Sequence, residues 1–170
     1  LESRFQRYSV VQGAMAVLHW DSAVMMPLGG ASARSDQLAE LALVCHEILT
    51  APDIQELLNI AEGDAAKLDD WQEANLTEMR RRWLHASAVP AELVRQLSEA
   101  SSGCEMVWRD ARAQDDFEAV RPHLELVVDL TRQSARVKSE HLGCSPYDAL
   151  LDGYDPGSRV ADIEPLFNEL

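Results

Sequence analysis

The sequence has the composition of one globular domain: it contains 170 residues, of which 46% are hydrophobic and 26% are charged, enough to bury a core without disulfide bonds. Its formal net charge of −14 repels phosphate backbones and anionic bilayers, which argues against nucleic acid and membranes as partners. The three cysteines form no C-x-x-C pair, which indicates reduced thiols in a cytoplasmic protein.

Helical spacing predicts an all-α fold along the whole chain, because no segment shows the alternation of a strand. The first predicted helix ends near Pro27 and places four apolar residues along one face: Phe5, Tyr8, Met15 and Leu18. A second predicted helix spans residues 31–49. Thr50, three residues before Asp53, is predicted to cap a short third helix that closes at Gly63.

The middle of the chain predicts three long helical stretches. A fourth helix covers about 65–88, and Pro90 starts a fifth. The pair Asp115-x-x-Glu118 predicts a capping box for the sixth helix, which Pro122 either kinks or causes to start later. Four tryptophans at helical positions are predicted to pack in the core or between helices: Trp20, Trp71, Trp83 and Trp108.

The last quarter of the chain predicts an interrupted final element. The string SPYD at 145–148 is a strong helix start, with a capping hydroxyl, a proline in the first turn and an early acid. The resulting short helix ends at Gly153 or Gly157. A last helix begins after Ser158 and is still running at Leu170.

The string VCHEILT contains the beginning of a zinc-protease signature, H-E-x-x-H. His46 and Glu47 match it, but Thr50 stands where the second histidine belongs, and a hydroxyl is not a usual zinc ligand. Cys45 cannot replace it, because adjacent helix residues point about 100° apart. The pattern favours a half-buried helix histidine.

Two further sets of polar residues leave alternatives open. His141-x-x-Cys144 offers two metal ligands without a second pair, so an independent metal site using His46 or His141 with cysteines is the weaker alternative. Asp148 and Asp152, four residues apart, are either a carboxylate pair for acid–base or cation chemistry, or helix-start acids that face water.

Four strings in a fixed order carry a resemblance to a known family: AVLHWDSAVMMPLGGASARSDQLAELALVCHE, WQEANLTEMRRRWLHASAVPAELV, WRDAR and PYDALLDGYDPG. Together they resemble the N-terminal part of the thermostable, Taq-type metallocarboxypeptidases, from about Phe5 to Leu170. The resemblance implies a mostly helical fold like that of neurolysin and angiotensin-converting enzyme. It also implies a full-length, cytoplasmic, usually homodimeric enzyme of broad specificity that uses zinc or cobalt.

The catalytic strings of that family lie later in its chain, and none occurs here. They are a true H-E-x-x-H, a further glutamate ligand, H-P-F and D-x-R-x-T, whereas residues 110–114 read DARAQ. The resemblance therefore implies that 1–170 is a single all-α N-terminal segment with no catalytic residue, no metal ligand and no cofactor of its own. We expect this segment to be inactive alone.

We expect this segment to contribute a wall or lid of the substrate channel, because breaks between helices often line clefts. The candidate wall residues are Trp20, Asp21, Met26, Tyr147, Asp148 and Tyr154. The expected partners are the missing C-terminal catalytic part or a second copy of the chain, with peptide as substrate of the full-length enzyme. The alternative is a stand-alone helical protein-interaction module derived from the same scaffold.

Overall fold

The computed structural model describes residues 1–169, apart from the side chain of Leu28, and all its regular elements in that range are helical. Eight α-helices occur there: α1 Glu2–Val24, α2 Ala31–Leu49, α3 Ile54–Gly63, α4 Asp70–Ala88, α5 Ala91–Ala113, α6 Phe117–Leu142, α7 Pro146–Leu151 and α8 Val160–Asn168. Short 3₁₀ helices span Leu28–Gly30 and Ala65–Lys67. The all-α prediction is confirmed. Within the described range, no helix is long and apolar enough to cross a bilayer.

Helix α2 is the central packing element, because it contacts α1, α4 and α5. Its buried face joins the predicted apolar face of α1 in one cluster of buried residues: Phe5, Tyr8, Cys45, Ile48 and Leu49. Helix α6 in turn packs against α4, α5 and α7. The fold is thus an array of helices in which α2 and α6 connect the N-terminal and C-terminal elements.

Two smaller apolar clusters stabilise the rest of the array. Ile54 and Leu58 on α3 have 0% exposure and pack with Leu76 of α4. The other cluster joins the end of α4 to α5 and α6 through Val89, Leu93 and Leu130. Burying apolar surface in this way supplies the main favourable contribution to folding.

Two helix boundaries near the N-terminus differ from the prediction. Thr50 does not cap α3; it ends α2, where its hydroxyl donates to the His46 carbonyl at 2.9 Å, and Asp53 is the residue that precedes α3. The His46 carbonyl in the last turn of α2, which also accepts the Thr50 amide, competed for the hydroxyl. Helix α4 starts later than predicted, at a capping box formed by Asp69 and Gln72.

The start of α6 also lies one residue beyond the predicted capping box. Asp116 is the cap, and its carboxylate accepts from the Ala119 amide at 3.1 Å. Asp115 instead has φ 54°, in the left-handed region that aspartate tolerates better than most residues. Pro122 lies inside α6, so it does not set the start of this helix.

The predicted start of α7 is confirmed, whereas the ends of α7 and α8 are not. The Ser145 hydroxyl accepts from the Asp148 amide at 3.1 Å, with proline in the first turn. Helix α7 ends at Leu151, before either glycine proposed to stop it. Helix α8 ends at Asn168, and Leu170, where the last helix was predicted to be running, lies outside the described residues.

The packing predicted for the tryptophans is wrong for three of them. Trp20, Trp71 and Trp108 are 58%, 80% and 44% exposed. Trp83 alone packs as predicted, against the α3–α4 cluster. Periodicity places a tryptophan on a helix face, but it does not show whether another element covers that face.

The complete burial of Leu58 makes it a sharp test of the α3–α4 cluster. We expect Leu58→Ala to lower the free energy of unfolding by about 2–5 kcal/mol, because the truncation leaves a cavity between the helices. Ile60→Ala is the control on the same helix, since Ile60 is 58% exposed and should change stability little. Equal losses for the two variants in urea denaturation would contradict this assignment of the core.

Candidate functional site

A cavity of about 700 Å³ lies among α1, α2, α4, α5 and α6 and is called the central cavity below. Apolar residues such as Leu49, Val94 and Leu97 form part of its lining. Its polar lining includes four serines, Gln12 and Glu105, and six cationic or imidazole side chains: His19, His46, Arg81, Arg82, His85 and Lys138. In a chain with a net charge of −14, this local excess of basic groups distinguishes the cavity from the remaining surface.

Asp152, which follows α7, is bound from α4 by two basic side chains. Arg81 Nη1 donates to the Asp152 carbonyl at 2.7 Å and to its Oδ2 at 3.2 Å. The same Oδ2 lies 2.6 Å from Nε2 of His85. The Gly157 amide donates to Oδ1 at 2.9 Å. Arg81, His85, Lys138 and Asp152 are called the Asp152 cluster below.

The Asp152 carboxylate is kept ionised by these hydrogen bonds. Burial alone would raise its pKa, but the Gly157 amide, His85 and Arg81 together lower it below the ordinary value of 3.8. An ionised acceptor at 2.6 Å requires a hydrogen on Nε2 of His85. The other ring nitrogen, Nδ1, is buried and has no hydrogen-bond partner among the described residues.

The second carboxylate of the predicted pair, Asp148, is engaged separately. Its Oδ2 accepts from the Ser145 hydroxyl at 2.8 Å and its Oδ1 from the Val160 amide at 2.9 Å. These hydrogen bonds lower its pKa: the largest contribution comes from the Val160 amide, followed by the Ser145 hydroxyl. Asp148 and Asp152 therefore hold the loop between α7 and α8 at two points, and in this structure their carboxylates bind protein donors.

The candidate wall residues near the end of α1 lie where two arginines donate to carbonyls of that helix. Arg34 of α2 donates to the Leu18 carbonyl at 2.7 Å and pairs with Asp21 at 2.6 Å. Arg109 of α5 donates to the Ser22 carbonyl. Cations are favoured at a helix C-terminus by both hydrogen bonding and the helix dipole.

The structure places the six candidate wall residues in two separate groups. One is at the end of α1 and just after it, and the other is on α7 and the turn after it. None of the six lines the central cavity. Three of them are strongly exposed, with Trp20 at 58%, Tyr147 at 67% and Tyr154 at 91%. Exposure leaves these aromatic rings free to contact another molecule or chain segment, and their role as a channel wall stays a prediction.

His46 and Thr50 do not supply the pair of metal ligands that an H-E-x-x-H motif requires. His46 is half-buried on α2, and burial lowers its pKa, although Glu47 acts in the opposite direction. The hydroxyl of Thr50 is occupied by the His46 carbonyl. Over residues 1–169, no group of three or more His, Cys, Asp or Glu side chains could hold a metal ion.

The Asp152 cluster was not found by sequence reasoning. The signal was present, because Arg81 and His85 are four residues apart and therefore share a face of α4. Their partner, Asp152, lies 71 and 67 residues away. The arginines at 80–82 also pair with Glu62 and Glu78, and Arg81 alone of the three reaches Asp152.

Solved structures of metallocarboxypeptidases share this helical array. The structure titled Trypanosoma cruzi metallocarboxypeptidase 1 superimposes with a TM-score of 0.79 at 33% identity, over 99% of this chain and 34% of that one. A Pyrococcus furiosus carboxypeptidase structure superimposes with a TM-score of 0.73, also at 33% identity. The structure titled BsuCP has a TM-score of 0.89 at 24% identity, which supports the fold alone.

The family model described as carboxypeptidase Taq (M32) metallopeptidase matches residues 1–170, so the chain belongs to that family. Thermostable carboxypeptidase 1 of Thermus thermophilus is 38% identical over 98% of this chain, and its Pyrococcus furiosus counterpart is 34% identical over 99%. The chain spans about a third of the length of these relatives, 34% and 33% respectively.

The Asp152 cluster predicts a stability change with a defined pH dependence. Because the pKa of Asp152 is lowered in the folded protein, its contribution is present above about pH 4 and disappears as the pH falls through the folded-state value. We expect Asp152→Asn to lower the free energy of unfolding by about 2–3 kcal/mol at pH 7. The difference from the parent should shrink toward pH 2.

Urea denaturation at a series of pH values measures this difference. Asp110→Asn, at an exposed position of α5, is the control and should change stability little at any pH. A stability loss for Asp152→Asn that stays constant between pH 7 and acid would show that the ionised carboxylate is not the stabilising group.

Proposed function

We propose that this chain forms the N-terminal helical part of a zinc-dependent carboxypeptidase that removes C-terminal amino acids from peptides. The supporting observation is the family match over 1–170 together with coverage of only a third of the relatives' length. In this proposal the enzyme is a cytoplasmic homodimer whose zinc or cobalt is held by residues other than 1–169. The present chain does not act as a catalyst alone.

We further propose that the exposed aromatic groups at the ends of α1 and α7 form a wall or lid of the substrate channel. Their backbone is held firmly: Arg34 and Arg109 fix the end of α1, and Asp148 and Asp152 fix the loop after α7. A fixed backbone that carries exposed aromatic rings is suited to enclosing a peptide, because little ordering entropy is lost on contact.

The proposal can be tested on two proteins: the chain 1–170, and a longer protein that continues it with the later family segment. We expect the longer protein, but not the chain 1–170, to release C-terminal amino acids from peptides. We also expect bound zinc in the longer protein only. In that protein, Trp20→Ala with Tyr154→Ala should lower kcat/KM about tenfold through lost aromatic contact with substrate. Zinc content should not change.

Trp71→Ala is the matched control, because Trp71 is 80% exposed but lies on α4, away from the proposed wall. It should leave kcat/KM and zinc content unchanged. Peptidase activity with stoichiometric metal in 1–170 alone would overturn the assignment as a non-catalytic part. If the double variant and the parent have equal kcat/KM, only the proposal that these residues form a channel wall is contradicted.

A stand-alone helical interaction module is the second candidate, and one surface favours it. Val10, Val17 and Val24 recur every seven residues along α1, and Trp20 lies on the same side of the helix. All four are between 58% and 68% exposed. An apolar stripe of this length on a soluble protein marks a surface that another helix can cover.

This stripe predicts that the chain 1–170 associates with itself or needs a partner surface. We expect sedimentation velocity to show a concentration-dependent dimer, because pairing two copies removes both stripes from water. Val17→Asp should shift the chain to monomer. Ile60→Asp, which changes an equally exposed residue of α3, should not. A monomer at all concentrations that binds no hydrophobic dye would contradict this prediction.

A further inference from the structure

Helix α8 carries an apolar face that the described part of the chain leaves largely uncovered. None of its nine residues, Val160–Asn168, is buried. Val160, Ile163 and Phe167 are three and four residues apart and therefore lie along one side of the helix, and Leu166 extends that side. These four residues are called the α8 face below. Leu166 and Phe167 are 63% and 71% exposed.

The sequence of α8 gives this helix little stability of its own. A helix this short is marginal in water, because most helical stability in proteins comes from packing of an amphipathic face. Pro165 lies inside α8 and has no amide hydrogen to donate to the carbonyl of Ala161. Stability must therefore come from a surface that covers the α8 face.

The start of α8, in contrast, is fixed to the rest of the molecule. The Val160 amide donates to Asp148 in the first turn of α7 at 2.9 Å, and the Arg159 amide donates to Asp162 at 3.2 Å. A helix that is held at its first residue presents its face in a defined position. A covering segment of the same polypeptide loses less entropy on contact than a separate molecule does.

We propose that the later family segment of the longer enzyme packs on the α8 face and stabilises this helix. The inference rests on the proposed function, in which the later segment continues from α8 and its first elements lie close to this face. The relatives are long enough to supply such a segment, since this chain spans 34% and 33% of their length.

The charges of α8 favour this occupant over a second copy of the same helix. From Val160 to Glu169 every charged residue is acidic: Asp162, Glu164 and Glu169. Two α8 helices packed together would bring like charges close to each other, which is unfavourable. The expected covering surface is therefore apolar at its centre and carries basic side chains at its rim.

Hydrogen exchange of the α8 amides tests the proposal in the chain 1–170 and in the longer protein. In 1–170 we expect exchange almost as fast as in an unfolded chain, because an uncovered terminal helix opens with a free energy close to zero. In the longer protein the exchange should be about 100-fold slower, since opening would expose the covered apolar side chains. Amides around the buried Leu130 of α6 are the internal control and should exchange slowly in both proteins.

Phe167→Ala in the longer protein should speed exchange of the α8 amides about tenfold, because it removes the largest side chain of the α8 face. Asn168→Ala is the matched control: Asn168 is exposed and lies outside that face, so this variant should exchange like the parent. Equal exchange of α8 in 1–170 and in the longer protein would overturn the proposal. Protection in 1–170 that increases with protein concentration would also overturn it, because a second copy would then be the occupant.

Zinc content and peptidase activity of the same longer protein separate this proposal from the proposed function. Protected α8 amides without zinc or activity would support the packing on α8 and contradict the function as a zinc-dependent carboxypeptidase. Zinc and activity together with unprotected α8 amides would contradict the packing on α8 alone.

Discussion

The ion pair and hydrogen bonds at Asp152 connect parts of the molecule that are distant in sequence. A half-buried carboxylate is stable only if donors replace the water it has lost, and here two of them come from α4 and one from Gly157. The contact therefore fixes the end of α7 against α4 and shapes the loop toward α8. It also determines that Nδ1 of His85 is the ring nitrogen left without a partner among the described residues.

The end of α1 follows the same physical rule, because acceptor oxygens there also receive hydrogen bonds from cationic side chains of neighbouring helices. Arg34 of α2 donates to the Leu18 carbonyl, and Arg109 of α5 donates to the Ser22 carbonyl in the last turn. Beside these contacts the side chain of Trp20 stays 58% exposed.

Local chemistry in the sequence predicts the helices well, because caps and prolines act within a few residues. The α7 start at Ser145 is correct for that reason. Thr50 was assigned to the wrong helix because its hydroxyl could serve either neighbour, and only the geometry of α2 decides between them. The exposure of Trp71 and the pairing of Arg81 with Asp152 depend on contacts across the fold. No spacing rule within one helix can supply such contacts.

Several carboxylates of this helical segment are engaged in structural contacts. General acids, bases and metal ligands must keep a free lone pair or proton for substrate or ion. In this chain Asp21, Asp148 and Asp152 are committed to Arg34, the Val160 amide and the α4 pair respectively.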